Sequence, residues 1–421
     1  MVLPAVADRP VVGHPGSAEL VVAARARAAG SPVPRALVAA VTGTNGKTSV
    51  VTFTRQLLTA AGVPTASLSS LGLCTPLRDA ADPELVPGAA ELGELASDVQ
   101  ADGAQVLVLE AHSRALARGA LDLLEVDVAA CTNLTPDHLD VHGDMAGYEA
   151  AKRRLFTALL RVDGAAVVDC DEPVGRRLAQ VCRERGVAEV VAVGAEHLAA
   201  YGTAVRVPAL HAPALHAPFQ RRNAALALQV AGVVLVRLGR AGGLGEALRT
   251  LMPGIAGLEP PPGRFERLPG GPGVEVVVDH GHGPGALAAV LDAVAADARA
   301  AGGRVLSVVG CGGDRDPTKR QPMGQIAAAG SDVVVVTDDN PRDEEPAAIR
   351  AEVLSGARSV GGVEVEAVAD RRAAIARALA LADPGDRVVV AGRGDESVQV
   401  RADGRRVPLD DRAVVRDHCD S

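Results

Sequence analysis

The 421-residue chain has no tryptophan, only 2 tyrosines and 4 phenylalanines, so aromatic residues make up 1% of it. A core with so few rings must be built from alanine, valine and leucine. A stacking platform for single-stranded nucleic acid is disfavoured for the same reason. Basic excess is lacking too: 43 Lys and Arg face 52 Asp and Glu, for a net charge of −9. That balance opposes an electrostatic grip on a phosphate backbone while leaving room for a local basic pocket around a small phosphate. None of the six cysteines (Cys74, Cys131, Cys170, Cys182, Cys311, Cys419) lies at CxxC spacing, so neither a zinc ribbon nor a disulfide framework is signalled. The longest apolar runs, such as Val333–Val336, are strand-sized and far short of the ~20 residues a membrane span requires. The N-terminus, MVLPAVADRPVVGHPG, has no basic region followed by an apolar one. These absences lead us to expect a cytoplasmic protein without membrane or nucleic-acid partners.

What remains is an α/β pattern. Apolar residues make up 48% of the chain, enough for packed cores, and at ~150 residues per domain there is room for two or three. Short β-branched runs recur between alanine-rich stretches of helical character. Leu37–Thr42, Gln105–Glu110, Val126–Ala130, Ala165–Asp169 and Val187–Val193 read as strands, as do Val274–Asp279, Arg304–Gly310, Val333–Thr337, Val363–Ala367 and Arg387–Ala391. Such runs, without polar alternation, suit strands buried on both faces, and their alternation with helices predicts mostly parallel sheets. The Pro/Gly-dense segment Leu258–Gly273 reads as a domain junction. We therefore expect a short segment at 1–36 with one helix near Glu19–Ala29, a central P-loop domain at 37–258 and a Rossmann-like domain at 259–421.

The strand Leu37–Thr42 runs into Gly43, Thr44, Asn45, Gly46, Lys47, Thr48 and Ser49, then into the helical stretch Val50–Ala61. A strand, a glycine loop and a helix N-terminus make a phosphate cradle. Backbone N–H groups and the helix dipole face the anion, Lys47 meets the terminal phosphates, and the Thr48 hydroxyl suits Mg²⁺. The standard GxxxxGK[ST] spacing wants glycine at position 41, where this chain has Val41; its first glycine is Gly43.

The variant spelling GTNGKT resembles the Mur ligase family of ATP-dependent amide-forming enzymes. Further segments fall in order with it over about residues 37–400: Thr132–Gly143 (TNLTPDHLDVHG), Tyr148–Phe156 (YEAAKRRLF) and Gly263–Glu266 (GRFE). Read alone, Glu110 at a strand end and His138 between Asp137 and Asp140 are as easily a solvent carboxylate and a capping histidine. The resemblance implies instead that Glu110, His138 and Lys152 surround a metal, with Lys152 carboxylated by CO₂. It further implies adenine contact by Asn223, γ-phosphate contact by Arg264 and ribose contact by Asp279. Gly312–Asp316 (GGDRD), Asp339–Arg342 (DNPR) and Gly392–Glu396 (GRGDE) are similar to the diaminopimelate-adding branch. That likeness implies an amino-acid pocket of Arg315, Asp339, Asn340, Arg342, Gly392 and Glu396. Guanidinium forks suit a distal carboxylate, and Glu396 suits a distal ammonium.

Departures are also legible. His112 and Arg114 stand where the family has Ser and His; Gln220 replaces an Asn, and Arg393 and Asp395 replace Lys and His. Only about 36 residues precede the first strand, and a Thr-Thr pair expected near Val86–Gly88 is absent. The resulting expectation is an ATP- and Mg²⁺-dependent ligase joining a diaminopimelate-like amino acid to a carboxylate other than a nucleotide sugar. The alternatives are a muramoyl-tripeptide ligase whose first domain comes from a partner, and a P-loop nucleotide-binding protein without ligase activity.

Overall fold

The computed structural model describes residues 35–80, 95, 98–194, 215–401 and 404–419. The helix expected at Glu19–Ala29 and the position around Val86–Gly88 lie outside the described residues.

Strand β1 (Leu37–Thr42) enters helix α1 (Lys47–Ala60), followed by β2 (Thr65–Ser69), β3 (Gly72–Cys74), β4 (Asp79–Ala80), β5 (Val106–Glu110), β6 (Val126–Cys131), helix α2 (Met145–Arg154), β7 (Leu160–Asp169), β8 (Glu189–Val193) and helix α3 (Pro218–Arg237). The strands form an eight-stranded sheet ordered β4-β3-β2-β5-β1-β6-β7-β8. From β2 to β8 all pairings are parallel, while β3 and β4 fold back antiparallel. Because β1 alternates its side chains, Ala39 and Val41 pack on one face with Phe53 and Leu57 of α1, while Val38 and Ala40 pack on the other with Leu107 and Phe156. A central strand covered on both faces has to be apolar where it packs, and Leu37–Val41 is, while Thr42 at its end donates its hydroxyl to Ala111 O at 2.8 Å.

A second sheet follows, built of β9 (Glu266–Pro269), β10 (Glu275–Asp279), β11 (Val305–Val309), β12 (Val333–Val336), β13 (Glu364–Ala367) and β14 (Arg387–Ala391), in the order β13-β12-β11-β14-β10-β9. All pairings are parallel except that of β9 with β10. A hairpin of β15 (Val398–Val400) and β16 (Arg406–Pro408) precedes the last helix, α4 (Asp411–Cys419). Its Asp411 takes both Arg371 Nε and Nη2 at 2.8 Å, with both side chains fully buried.

Every strand expected from the sequence is present, with ends moved by a residue or two, and by five at the start of β7. The presumed junction Leu258–Gly273 also contains β9, an edge strand that ends at Pro269. Among the ties between the two halves are a paired hydrogen bond to the connecting segment and a ring contact. Gln56 donates to Glu259 O at 3.1 Å and accepts from Glu259 N at 3.0 Å. Phe219 meets Phe265 edge-on, with ring centroids 5.3 Å apart. Among the described residues no helix is long and apolar enough to cross a membrane.

Candidate active site

Open parallel sheets bind ligands beyond the carboxyl ends of their strands, and here the two sheets turn those ends toward one cavity of about 570 Å³. On the first sheet the adjacent strands are β5, β1 and β6, with Val41 beside Glu110 and Thr42 beside Cys131. Glu110, the glycine loop and the Thr132–Asn133 turn are therefore neighbours by topology. The helix begins earlier than expected, at Lys47 rather than Val50. Its N-cap Gly46 is left-handed (φ 85°) and supplies no side-chain cap, so the first-turn amides remain free for an anion.

The turn after β6 braces this loop. Thr44 N donates to Asn133 O at 2.9 Å, and Asn45 N donates to Asn133 Oδ1 at 3.0 Å. Thr132 Oγ1 donates to Asn45 O at 2.6 Å, and Thr135 N donates to Thr44 Oγ1 at 3.0 Å. A Cβ on Gly43 would stand 1.8 Å from Thr132 Oγ1, and one on Gly46 would stand 2.3 Å from Asn223 Oδ1. Asn223 thus lies against the phosphate loop, hydrogen-bonded to Gln220 at 3.2 Å. The sequence signal for this brace is Thr132-Asn133 directly after a strand.

Lys47 donates to Thr44 O at 2.8 Å, and burial lowers its ammonium against the pull of Glu110. Burial tends to raise the Glu110 carboxyl, but His112 at 3.2 Å, Lys47 and Arg264 together hold it below its ordinary range. Ser70, absent from the sequence reading, ties the group together. Its N–H donates to Glu110 Oε1 at 3.2 Å, its Oγ lies 3.2 Å from Thr48 Oγ1, and it accepts from Arg264 Nη2 at 2.9 Å. Lys152 is buried, donates to Gly43 O at 2.6 Å and lies 4.4 Å from the Tyr148 ring centroid. Burial first, then the Lys47 cation, pushes it well below its usual range.

His138 is drawn to Asp137 instead, with Nε2 3.5 Å from Oδ2, and burial pushes it down to about 4. Among the described residues no three His, Cys, Asp or Glu side chains converge as a metal cluster. The hydroxyl of Thr48 and the carboxylate of Glu110, both touching Ser70, are the hard oxygen donors here that would suit a divalent ion.

On the second sheet β12, β11, β14 and β10 end side by side, with Asp279 paired to Ala391. Asp279 accepts Phe265 N at 2.7 Å and Gly281 N at 2.6 Å, so both of its oxygens already hold backbone amides. Arg342 donates to Gly313 O at 2.7 Å, and burial, then Arg315, lowers its guanidinium. Asn340 donates to Glu396 at 2.7 Å and accepts from Arg393 at 2.9 Å. A Cβ on Gly392 (φ 115°) would stand 3.0 Å from Asp339 Oδ2. Burial, reinforced by Asp339 and opposed by Arg393 and Asn340, pushes Glu396 up to about 7.

Among the described residues four non-glycine positions have positive φ: His138, Phe265, Asp314 and Arg342. Each lines the cavity or adjoins a residue that does. Positive φ at non-glycine positions is thus confined, among the described residues, to the cavity wall and its immediate neighbours, which singles the cavity out as the candidate site.

Residues 41–233 match the Mur ligase middle domain, and residues 263–394 match the Mur ligase glutamate ligase domain. The chain belongs to the Mur ligase family. It is 36% identical over 396 residues to the UDP-N-acetylmuramoyl-L-alanyl-D-glutamate–2,6-diaminopimelate ligase of Bradyrhizobium diazoefficiens, covering 91% of this chain and 79% of that one. The enzyme of the same name from Xylella fastidiosa is 38% identical over 402 residues, covering 92% and 78%. A solved structure of such a ligase superposes with a TM-score of 0.59 at 28% identity, covering 94% of this chain and 81% of its own. Folylpolyglutamate synthase of Mycobacterium tuberculosis shares the fold, with a TM-score of 0.64 at 20% identity and coverage of 89% and 92%. This Mur ligase is accordingly an ATP-dependent, amide-forming enzyme of α/β fold.

Proposed function

We propose that the chain uses ATP and Mg²⁺ to activate a carboxylate as an acyl phosphate and passes the acyl group to the amine of a diaminopimelate-type amino acid. Residues 37–258 serve as the nucleotide domain and 259–421 as the amino-acid domain. The observation that carries this reading is one cavity with a phosphate loop on one wall and Arg315, Arg342 and Glu396 on the other.

Lys47 and Arg264 meet the β- and γ-phosphates, and Thr48, Glu110 and a carboxylated Lys152, with His138 on the same cavity wall, would hold the metal. A bound divalent ion would supply charge neutralisation at the transferring phosphoryl group. Asn223 and Asp279 face the nucleoside. The carboxylate oxygen attacks the γ-phosphorus, ADP leaves, and the amine nitrogen attacks the acyl carbon. Inorganic phosphate departs with the C–O bond, and the nitrogen loses its proton. Arg315 and Arg342 hold the distal carboxylate of the amine substrate. Asp339, Asn340, Gly392 and Glu396 surround its distal ammonium.

For the donor, the names of the relatives favour a UDP-muramoyl dipeptide over the nucleotide-free carboxylate first expected. A nucleotide-free donor keeps one observation in its favour: Arg114, 3.5 Å from Asp140, and His112, beside Glu110, recast the loop after β5. Dependence on ATP supports a cytoplasmic reaction. ADP release across a panel of muramoyl dipeptides, simple carboxylates and amines, with product masses, tests the assignment. Absence of ADP release with every pair would return the chain to nucleotide binding alone.

A further inference from the structure

Arg264, just before the edge strand β9, and Asp395, just after β14, meet at the same end of the second sheet. Gly263 and Gly394 (φ 65° and 56°) bring their segments together so closely that a Cβ on either would overlap the other's backbone. Asp395 Oδ1 lies 3.1 Å from Arg264 Nη2, and the side chains are 10% and 17% exposed. His280 Nδ1 stands 3.5 Å from the same oxygen but spends its nitrogen on Arg393 O at 2.9 Å. The pair is incompletely satisfied. Arg264 Nε and Asp395 Oδ1 are both buried with no hydrogen-bond partner, in a protein interior where such atoms are normally matched. From the same guanidinium, Nη2 reaches Ser70 Oγ, which touches Thr48 and Glu110 beside the phosphate loop. Asp395 also directly precedes Glu396 in the amino-acid pocket.

We propose that the Asp395 carboxylate is a positioning residue that stands in for phosphate, holding Arg264 at the phosphate end of the cleft and ceding it to the γ-phosphate of an incoming nucleoside triphosphate. The inference rests on the reading of Arg264 as a γ-phosphate contact. Its physical basis is competition between anions for one guanidinium. A carboxylate aligns the fork in the empty cleft, and a γ-phosphate, carrying more charge and more acceptor oxygens, displaces it. Pre-alignment saves side-chain ordering on binding, while the displaced anion weakens the triphosphate. A diphosphate does not reach Arg264 and meets no such competition.

Calorimetric titration of the full chain with ADP and with a β,γ-methylene ATP analogue, both with Mg²⁺, tests this. Asp395→Asn keeps the shape and removes the anion. It is expected to bind the analogue about tenfold more tightly, the equivalent of a charge-pair coupling at the low end of the measured range, and ADP within about twofold. Asp395→Ser is expected to move affinities in the same direction and guards against a local packing effect of Asn. Arg264→Gln is expected to remove the preference for the analogue over ADP. A preference that survives Arg264→Gln overturns the γ-phosphate role of Arg264 and the proposal with it. A preference lowered by Arg264→Gln but unmoved, or reduced, in both Asp395 variants overturns the anion exchange alone.

Discussion

The Nζ of Lys152 donates to the carbonyl oxygen of Gly43 across 2.6 Å, joining helix α2 to the first residue of the phosphate loop. Burial and Lys47 favour the neutral amine at this position. Carboxylation by CO₂ requires that form, because the nitrogen lone pair attacks the carbon. The product carbamate carries a negative charge where an ammonium would repel a metal. We expect Lys152→Ala to lose at least about 10²-fold in kcat and to recover part of it with short carboxylic acids. Full activity without rescue would remove the carbamate from the mechanism.

For Lys47, the expected result is loss of ADP release without loss of fold. Charge neutralisation and positioning make up nearly all of phosphoryl-transfer catalysis, so Lys47→Ala should lower kcat by about 10³-fold or more. Circular dichroism of the variant should match the wild type, since the Lys47 contact with Thr44 O is local. Normal turnover by a folded variant would contradict the assignment.

Arg342 is set in a left-handed backbone (φ 51°) with Nη1 on Gly313 O, leaving the rest of its guanidinium to the cavity. Arg342→Ala should raise KM for a diaminopimelate-type amine far more than KM for ATP. The loss expected is ~2–5 kcal/mol of transition-state stabilisation, the scale for truncating one member of a buried charge pair. Arg342→Lys should not restore it, because an ammonium cannot reproduce a planar fork. Steady-state kinetics with diaminopimelate, lysine and a monocarboxylic amino acid discriminate; equal use of all three by the wild type would refute the specificity.

Glu396 makes the pH dependence predictable in sign. Its carboxyl is raised from 4.5 to about 7 in the folded protein, so acceptance of a distal ammonium fails as pH falls through 7. The ratio of kcat/KM for wild type over Glu396→Gln should therefore rise from pH 6 to pH 8, with titration of the amine itself cancelling. Stability runs the other way. A raised carboxyl favours the folded state fully below its unfolded value and loses that contribution as pH climbs from about 4.5 through 7. A flat activity ratio would show Glu396 outside the ammonium site.

Much of this was legible in the residues. β1 and its glycine loop could be read because a buried parallel strand must be apolar where it packs and a phosphate turn must contain glycine. β2 (TASLS) was not legible: it alternates small polar residues, and only pairing with β5 makes it a strand. Ser70, one serine among several, acquires its role only when Arg264 arrives from 194 positions away. Asp395 was visible as a departure from the family, but its consequence depends on two glycines packed back to back, which no local pattern reveals. Asp279 illustrates the converse case. The position was recognisable, but not that each of its oxygens also holds a backbone amide, of Phe265 and of Gly281.

The Phe219–Phe265 contact sets a mechanical property of the enzyme. A chain with 4 phenylalanines places two of them where the sheets face one another, and an edge-on ring pair of this kind is worth only ~0.5–1.5 kcal/mol beyond its buried area. It shares the seam with the Gln56 bonds to Glu259, the bond from Gln220 to Arg264 O and the bond from Arg264 to Ser70. The two walls are thus held by several small contacts rather than one large apolar interface, and a substrate that touches both walls adds directly to what joins them.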